Sequence, residues 1–172
     1  LALLRTRDPM TAFTRIAVNV SPIQLLRPNF AELVEETLWR HGLTGSDLCI
    51  EVTESVLIDD PKQVMALFEE LRDLGVKIHL DDFGTGYSSL SALHNFPMDS
   101  IKVDRSFIQR IGEDQGSFEV VNAIIRVARA LSLKVIAEGV ETHAQLDAIR
   151  EMGCDYGQGF LLAHPTALDD LK

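Results

Sequence analysis

The sequence predicts an α/β fold built around a parallel sheet. Short aliphatic runs alternate with amphipathic helical patterns about six times along the 172 residues. Most of these runs are almost continuously apolar, which is typical of parallel strands covered by helices. Such alternation gives a parallel sheet with right-handed crossovers, and no shift in composition suggests a linker. A single domain over residues 1–172 is therefore predicted.

Six candidate strands form the predicted sheet. They are Arg15–Val20, Leu48–Thr53, Val76–Asp81, Ser100–Val103, Lys134–Ala137 and Asp155–Gln158. Periodicity alone leaves two architectures open, an open doubly wound sheet and part of a (β/α)8 barrel. A glycine-rich G-x-G-x-x-G turn does not follow the first strand, which disfavours a dinucleotide-binding fold.

The helices between the strands have recognisable ends. Asp60-Pro61 opens one helix, because proline is favoured in a first helical turn, and Gly75 ends it. Asn29 is expected to cap a second helix. A third begins at Thr142, which has the spacing of a capping box, and stops at Gly153.

Composition limits the classes of function. Lys and Arg number 16 against 26 Asp and Glu, a formal net charge of −10, which argues against binding of a nucleic-acid polymer. A small anionic ligand is compatible with this charge only if divalent metal supplies positive charge. No segment is expected to contact or span a membrane. Two cysteines cannot form a disulfide framework, so a reducing, cytoplasmic location is predicted.

Polar residues recur at the carboxyl ends of the candidate strands, the edge where parallel α/β folds place their ligands. In chain order they are Asn19, Glu51, Asp81 with Asp82, Lys102, Glu138 and Gln158. Taken alone, each is more often a helix cap or a structural ion pair, but the series indicates one shared site. Its oxygen ligands suit Mg²⁺ or Mn²⁺ rather than Zn²⁺ or copper. Two such ions, with a lysine to balance charge, suit phosphoester hydrolysis.

The adjacent pair Asp81 and Asp82 sets a geometric condition. Neighbouring strand residues point to opposite faces, so both carboxylates reach one cluster only if the strand ends at Asp81. The following segment, Asp82–Ser89, contains Gly84 and Gly86 and is expected to form a mobile loop or an ordinary turn, with Ser88 or Ser89 capping the next helix.

Other reactive or bulky side chains are interpreted as structural. The histidines show no metal-ligand spacing, Cys49 lies within an apolar strand, and two aromatic residues occur at helical core spacing. These residues are His79, His94, His143, Cys49, Trp39 and Phe68.

Six motifs occur in one order along the chain. They are Val18-Asn-Val-Ser21, Glu51-Val-Thr-Glu54, Asp81-Asp-Phe-Gly-Thr-Gly-Tyr-Ser-Ser-Leu90, Ile101-Lys-Val-Asp104, Ala137-Glu-Gly-Val-Glu141 and Gly157-Gln-Gly159. Together they resemble the EAL domain, a family of bacterial cyclic-di-GMP phosphodiesterases with a TIM-barrel-like fold. The resemblance extends from about Arg15 to the end of the chain.

The resemblance implies a set of metal ligands for two ions of Mg²⁺ or Mn²⁺. One ion would be bound by Asn19, Glu51 and Asp81, and the second by Asp81 and Asp82. Glu138 matches the acidic residue near the second metal, which has a general-base or metal-linked role.

The resemblance also implies supporting roles. Lys102 matches the lysine that positions the attacking water, and Asp104, Glu141 and Gln158 match positions that support ligand binding. Glu54 matches the glutamate that anchors the loop after the paired aspartates, which in the family couples dimerisation to activity. A homodimer is therefore expected, with companion sensor or cyclase domains in the full protein.

The Glu-Ala-Leu signature of the family is absent. Leu1-Ala-Leu-Leu-Arg5 resembles its tail with Leu in place of Glu, but we prefer to interpret residues 1–12 as the end of a helix that precedes the first strand. About six of the eight βα units would then be present. The chain is either N-terminally truncated or a degenerate member, and the intact later motifs favour truncation.

The implied reaction is hydrolysis of cyclic-di-GMP to linear pGpG in bacterial second-messenger signalling. The rival hypothesis is a catalytically inactive cyclic-di-GMP receptor or protein-interaction scaffold, which the missing glutamate favours. Retention of the other metal-ligand positions favours catalysis. A metal-assisted lyase would fit the acidic residues but leaves the Asp82–Ser89 loop without a role. The 172-residue chain alone is expected to be inactive or weakly active.

Overall fold

A computed structural model describes residues 15–86, 90–112 and 114–167 of the chain. The predictions for residues 1–12 and for a cap at Ser88 or Ser89 lie outside these residues. The strands are β1 (Ile16–Asn19), β2 (Leu48–Thr53), β3 (Lys77–Phe83), β4 (Ser100–Val103), β5 (Lys134–Glu138) and β6 (Tyr156–Gln158). The helices are α1 (Pro22–Leu25), α2 (Phe30–Arg40), α3 (Val56–Asp59), α4 (Pro61–Asp73), α5 (Leu90–Asn95), α6 (Arg105–Ile108), α7 (Gln115–Ala130) and α8 (His143–Met152), with a short 3₁₀-helix at Gly45–Asp47.

The six strands form one sheet in the order β1 to β6. Pairing of β1 with β2, of β4 with β5 and of β5 with β6 is parallel, which confirms the predicted α/β class. The register aligns Asn19 with Glu51 and Glu138 with Gln158, so the two residues of each pair lie at the same level of the sheet. Asn19, Glu138 and Gln158 end their strands, whereas β2 continues two residues past Glu51. The predicted bounds of β2 and β4 are confirmed, whereas β3 continues to Phe83.

The described residues fall into two compact units. The first unit comprises residues 15–79 and 90–99, and the second comprises the described residues within 80–86 and 100–167. In the first unit, α4 begins as predicted, because the Asp60 side chain accepts a hydrogen bond from the Gln63 amide and proline follows. Its inner face is fully buried at Val64, Phe68 and Leu71.

In the second unit, α7 packs against β4 and β5. The Asp114 side chain caps α7, whose inner face buries an aliphatic stripe that includes Ile125. The predicted capping box of α8 is confirmed at Thr142 and Gln145, and Gly153 ends that helix with a φ of 75°. At 16 residues, α7 is the longest helix described, and none of the helices in the described ranges has the length and apolar character needed to traverse a bilayer.

An aspartate binds the amino end of β3 in the first unit, and another binds the amino end of β5 in the second unit in the same way. In the first unit, Asp99 accepts hydrogen bonds from Lys77 Nζ at 2.6 Å and from the amide of Ile78 at 2.9 Å. In the second unit, Asp155 accepts equivalent bonds from Lys134 Nζ at 2.7 Å and from the next amide in β5 at 3.0 Å. These aspartates lie at the end of the sheet opposite the polar strand ends, where side chains in such folds serve stability.

Of two predictions about α2, the capping position of Asn29 is confirmed without its hydrogen bond, and the core position of Trp39 is wrong. Asn29 occupies the position before the helix, but its φ is 61° and its side chain makes no capping hydrogen bond. Trp39 is 80% exposed rather than in the core, because it follows the buried Leu38 by one residue, a rotation of about 100° around the helix. The core position predicted for Phe68 is confirmed.

Candidate active site

The carboxyl end of β3 directs two adjacent aspartates toward one cluster. Asp82 has a φ of 54°, in the left-handed region that residues other than glycine seldom adopt. The Asp82 amide donates a hydrogen bond to Asp81 Oδ1 at 3.0 Å. The prediction that the strand ends at Asp81 is wrong, since β3 continues to Phe83. The local backbone turn at Asp82 interrupts the alternation of faces and brings the two carboxylates together.

Three carboxylates and one ammonium group form what we call the acidic cluster, made of Asp81, Asp82, Glu138 and Lys102. One oxygen from each carboxylate lies within 4.8 Å of the other two. Lys102 Nζ lies 3.1 Å from Asp81 Oδ1 and 2.6 Å from Glu138 Oε1. Lys102 is only 3% exposed, so its charge interacts with these carboxylates in a region from which most water is excluded.

The sheet explains how Lys102 reaches this position. All four residues of β4 are buried, and Lys102 pairs with Ile136, two residues before Glu138 on β5. It therefore begins about 6–7 Å deeper in the sheet than Glu138, at about 3.3 Å per residue. Its long side chain extends along the strand direction toward the carboxyl end, where the ammonium group meets the carboxylates.

The surroundings of Asp82 disfavour the ionised form of its carboxyl group. Partial burial raises the pKa of the Asp82 carboxyl above its usual range, and the neighbouring carboxylates of Asp81 and Asp104 raise it further. Lys102 and Arg105 oppose this rise without cancelling it. Crowded carboxylates whose ionised forms are disfavoured gain most from a nearby cation.

The cluster fits a hard divalent cation. Its three carboxylates against one ammonium group leave two negative charges, and all of its potential ligand atoms are oxygens. Carboxylate oxygens are the preferred protein ligands of Mg²⁺ and Mn²⁺. Asp81, Asp82 and Glu138 are therefore the residues of the second unit that could hold such an ion.

A glycine allows a close approach beside the cluster. Gly139 follows Glu138 with a φ of 72°, and a Cβ atom there would lie 2.6 Å from Arg105 Cβ. A side chain at this position would both strain the backbone and displace α6. Gly84, in the loop after Asp82, packs against the ring of Phe107 in a similar way, with a φ of 99°.

The three predicted supporting residues of the second unit have different surroundings. Asp104 caps α6 by accepting hydrogen bonds from the amide and the hydroxyl of Ser106. Glu141 accepts a hydrogen bond from Gln109 Nε2 at 3.1 Å. Glu138, Glu141 and Gln158 line one cavity of about 220 Å³, whereas Asp104 is not among its lining residues.

The remaining predicted site residues belong to the first unit. Asn19 is exposed at the end of β1, in register with the buried Glu51 of β2. His79 Nδ1 lies 3.8 Å from Glu51 Oε1. Glu54 is buried just beyond β2, and its carbonyl accepts a hydrogen bond from the amide of Leu57 in α3. Its predicted role as a loop anchor stays a prediction.

Two residues beside the site were not identified from the sequence. Arg105 lines the same cavity as Glu138, and only its place directly after a strand-end aspartate could have indicated this. Gln109 reaches Glu141 across 32 residues of sequence, and no local pattern predicts such a contact.

The sequence of the chain matches a known protein family. A family model described as the EAL domain matches residues 1–165. The chain belongs to the EAL domain family. This confirms the family that the six motifs predicted, and the matched range also includes the first residues of the chain.

Several EAL proteins are similar to this chain. The cyclic di-GMP phosphodiesterase NbdA of Pseudomonas aeruginosa is 46% identical over 158 residues, which cover 92% of this chain and 20% of NbdA. The PaMucR phosphodiesterase in its c-di-GMP complex is 40% identical with a TM-score of 0.93, covering 99% of this chain and 69% of that one. Klebsiella pneumoniae BlrP1, in its manganese/cy-diGMP complex, is 32% identical in sequence with a TM-score of 0.82. The match covers 93% of this chain and 41% of the BlrP1 chain.

The similarities confirm the predicted fold class, a TIM-barrel-like (β/α) domain. The chain spans about a fifth of the length of the curated relatives it matches.

Proposed function

We propose that this EAL domain hydrolyses cyclic-di-GMP to linear pGpG with the help of divalent cations. The observation that carries the proposal is the acidic cluster, in which Asp81, Asp82 and Glu138 surround the buried Lys102. Its charge and its oxygen ligands match the requirements of a two-metal phosphodiesterase. The names of NbdA and of the PaMucR complex support cyclic-di-GMP as the substrate.

Two ions of Mg²⁺ or Mn²⁺ are proposed for each site. Asp81 and Asp82 are assigned to one ion, near Glu138, and Asn19, Glu51 and again Asp81 to the other, as the family motifs suggest. The manganese and calcium complexes of BlrP1 support the use of divalent metal. When bound, the ions supply Lewis acidity toward the phosphodiester and the water that attacks it.

The side chains of the chain itself orient the reactants and carry protons. Lys102 restrains Asp81 and Glu138 through its two short contacts, so neither carboxylate must be reoriented during the reaction. Glu138 is assigned the role of accepting a proton from the attacking water. The water oxygen forms a new bond to phosphorus, one P–O bond of the ring breaks, and the leaving oxygen takes up a proton from solvent to become a hydroxyl.

The proposal is tested by product analysis on the full natural protein that contains this domain. We expect Mn²⁺- or Mg²⁺-dependent conversion of cyclic-di-GMP to pGpG, measured by anion-exchange chromatography. Asp81→Asn should lower the rate at least about 100-fold, since loss of an outer-shell partner alone typically costs 10–100-fold. Asp73→Asn, an exposed change at the end of α4, is the matched control and should leave the rate unchanged. Undiminished turnover by Asp81→Asn would contradict the metal assignment.

The second candidate function is a non-catalytic cyclic-di-GMP receptor or scaffold. The sequence feature that favours it is Leu1 in place of the signature glutamate, if Leu1-Ala-Leu-Leu-Arg5 is the tail of that signature. Binding and turnover measured on the same protein separate the two candidates. Saturable binding without conversion in excess Mn²⁺ would support the receptor, whereas metal-dependent formation of pGpG would exclude it.

A further inference from the structure

His79 is the unusual histidine of this chain. Of the five histidines, the other four are exposed, whereas His79 lies in β3, two residues before Asp81. Its Nδ1 atom is buried and has no hydrogen-bond partner among the residues that the structure describes. Buried polar atoms of folded proteins almost always have a partner, so an unsatisfied one commonly marks a bound water or ion.

A proposed metal ligand lies close to this nitrogen. His79 Nδ1 lies 3.8 Å from Glu51 Oε1, and both side chains are largely buried, at 17% and 10% exposure. This separation is too long for a hydrogen bond. It suits two ligands of one ion, because imidazole nitrogen and carboxylate oxygen each bind first-row metals at about 2.0–2.2 Å, and two such ligands can lie up to about 4.2 Å apart.

We propose that His79 Nδ1 is a nitrogen ligand of the divalent ion assigned to Glu51. The inference rests on the proposed function, which places an ion at Glu51, and adds a ligand that the oxygen-only motifs do not include. No large movement is required, since the two atoms already have a suitable separation. This assignment replaces the interpretation of His79 as a structural residue.

The added nitrogen has a consequence for metal preference. Carboxylate, carbonyl and water oxygens suit both Mg²⁺ and Mn²⁺, but Mn²⁺, as a first-row transition metal, accepts an imidazole nitrogen more readily than Mg²⁺ does. The ion at Glu51 should therefore be exchanged readily for Mn²⁺ in the presence of excess Mg²⁺. Removal of the imidazole should lower the Mn²⁺ affinity about tenfold and change the Mg²⁺ affinity less.

Pulsed electron paramagnetic resonance tests the assignment directly. The full chain is loaded with Mn²⁺, and electron spin echo modulation is recorded for coupling to ¹⁴N. His79→Gln retains an oxygen donor but lacks the imidazole, and His94→Gln is the control because His94 is exposed in the same unit. Labelling the histidines of the unmodified chain with ¹⁵N provides a second measurement that does not depend on how a variant folds.

We expect ¹⁴N coupling in the unmodified chain and in His94→Gln, its loss in His79→Gln, and its replacement by ¹⁵N coupling in the labelled chain. Bound Mn²⁺ without nitrogen coupling would overturn the inference and leave the proposed function standing. Such a result would indicate that His79 only orients Glu51. Failure of the chain to bind Mn²⁺ at all would overturn the inference together with the metal assignment of the proposed function.

Discussion

Replacement of Lys102 by methionine tests the electrostatic design of the acidic cluster. The ammonium group is 3% exposed and lies 2.6 Å from Glu138 and 3.1 Å from Asp81. Lys102→Met keeps most of the apolar stem but leaves these carboxylates without their counter-charge. Removing one partner of a buried ion pair typically costs about 3–5 kcal/mol, because the remaining charge is buried and uncompensated. We expect the free energy of unfolding without metal to fall by about that amount.

The assay is urea denaturation of the chain at pH 7, followed by far-UV circular dichroism. Lys134→Met is the matched control, since Lys134 pairs with Asp155 at 2.7 Å but its side chain is 60% exposed. Solvent screens such a pair, so the control should lose far less stability. A loss in Lys102→Met no greater than in the control would refute the argument.

Metal should reverse part of this loss. A divalent ion bound by Asp81, Asp82 and Glu138 replaces the missing positive charge and stabilises the folded state by mass action, about 2.7 kcal/mol at 100 times the dissociation constant. We therefore expect Mn²⁺ to raise the midpoint of Lys102→Met more than that of Lys134→Met. Equal shifts in the two variants would show that the ammonium group and the ion do not neutralise the same carboxylates.

Three further predictions concern the second unit. Asp155→Asn should cost less than about 1 kcal/mol at pH 7, because the Lys134 side chain of the pair is 60% exposed and its charge is screened by solvent. Desolvation raises the pKa of Asp155, but its bonds to Lys134 and Val135 lower that pKa overall. The difference from the unmodified chain in urea titrations should therefore vanish as pH falls through the lowered pKa. Gly139→Ala should lower the stability of the folded chain more than Gly112→Ala does, since both glycines have positive φ but an added Cβ atom meets Arg105 only at Gly139. Equal midpoints of the two variants in thermal melts would contradict this contact. Asp82→Asn should raise the stability of the metal-free chain by a few tenths of a kcal/mol at pH 7, because the raised pKa of Asp82 makes its ionised form unfavourable, and this gain should shrink as pH falls through that raised pKa.

The strands and most site residues could be predicted because they depend on local composition. The continuous aliphatic runs of Leu48–Thr53 and Ser100–Val103 predicted β2 and β4 with their observed bounds. Lys102 and Glu138 could be placed together because neighbouring parallel strands end at one edge of a sheet.

Features that depend on tertiary contacts or on backbone angles could not be predicted. The positive φ of Asp82 has no signature in the sequence, and without it the expected end of β3 was two residues early. The separation of His79 from Glu51 depends on how two strands lie beside each other. Trp39 fits a helical apolar pattern, yet the pattern does not reveal which face of α2 is covered.

Some predictions drawn from the family resemblance concern the full protein. The homodimer, the companion sensor or cyclase domains, and the coupling of Glu54 to the loop after Asp82 stay predictions. They do not affect the chemistry proposed for the acidic cluster, which depends on four residues of the second unit.

The central claim is that the acidic cluster binds divalent cations, and equilibrium titration with Mn²⁺ tests it most directly. The unmodified chain and Asp73→Asn should show the same saturable binding, whereas Asp82→Asn and Glu138→Gln should bind the ion near these residues at least about tenfold more weakly. Absence of saturable binding, or equal affinities in all four proteins, would contradict the account.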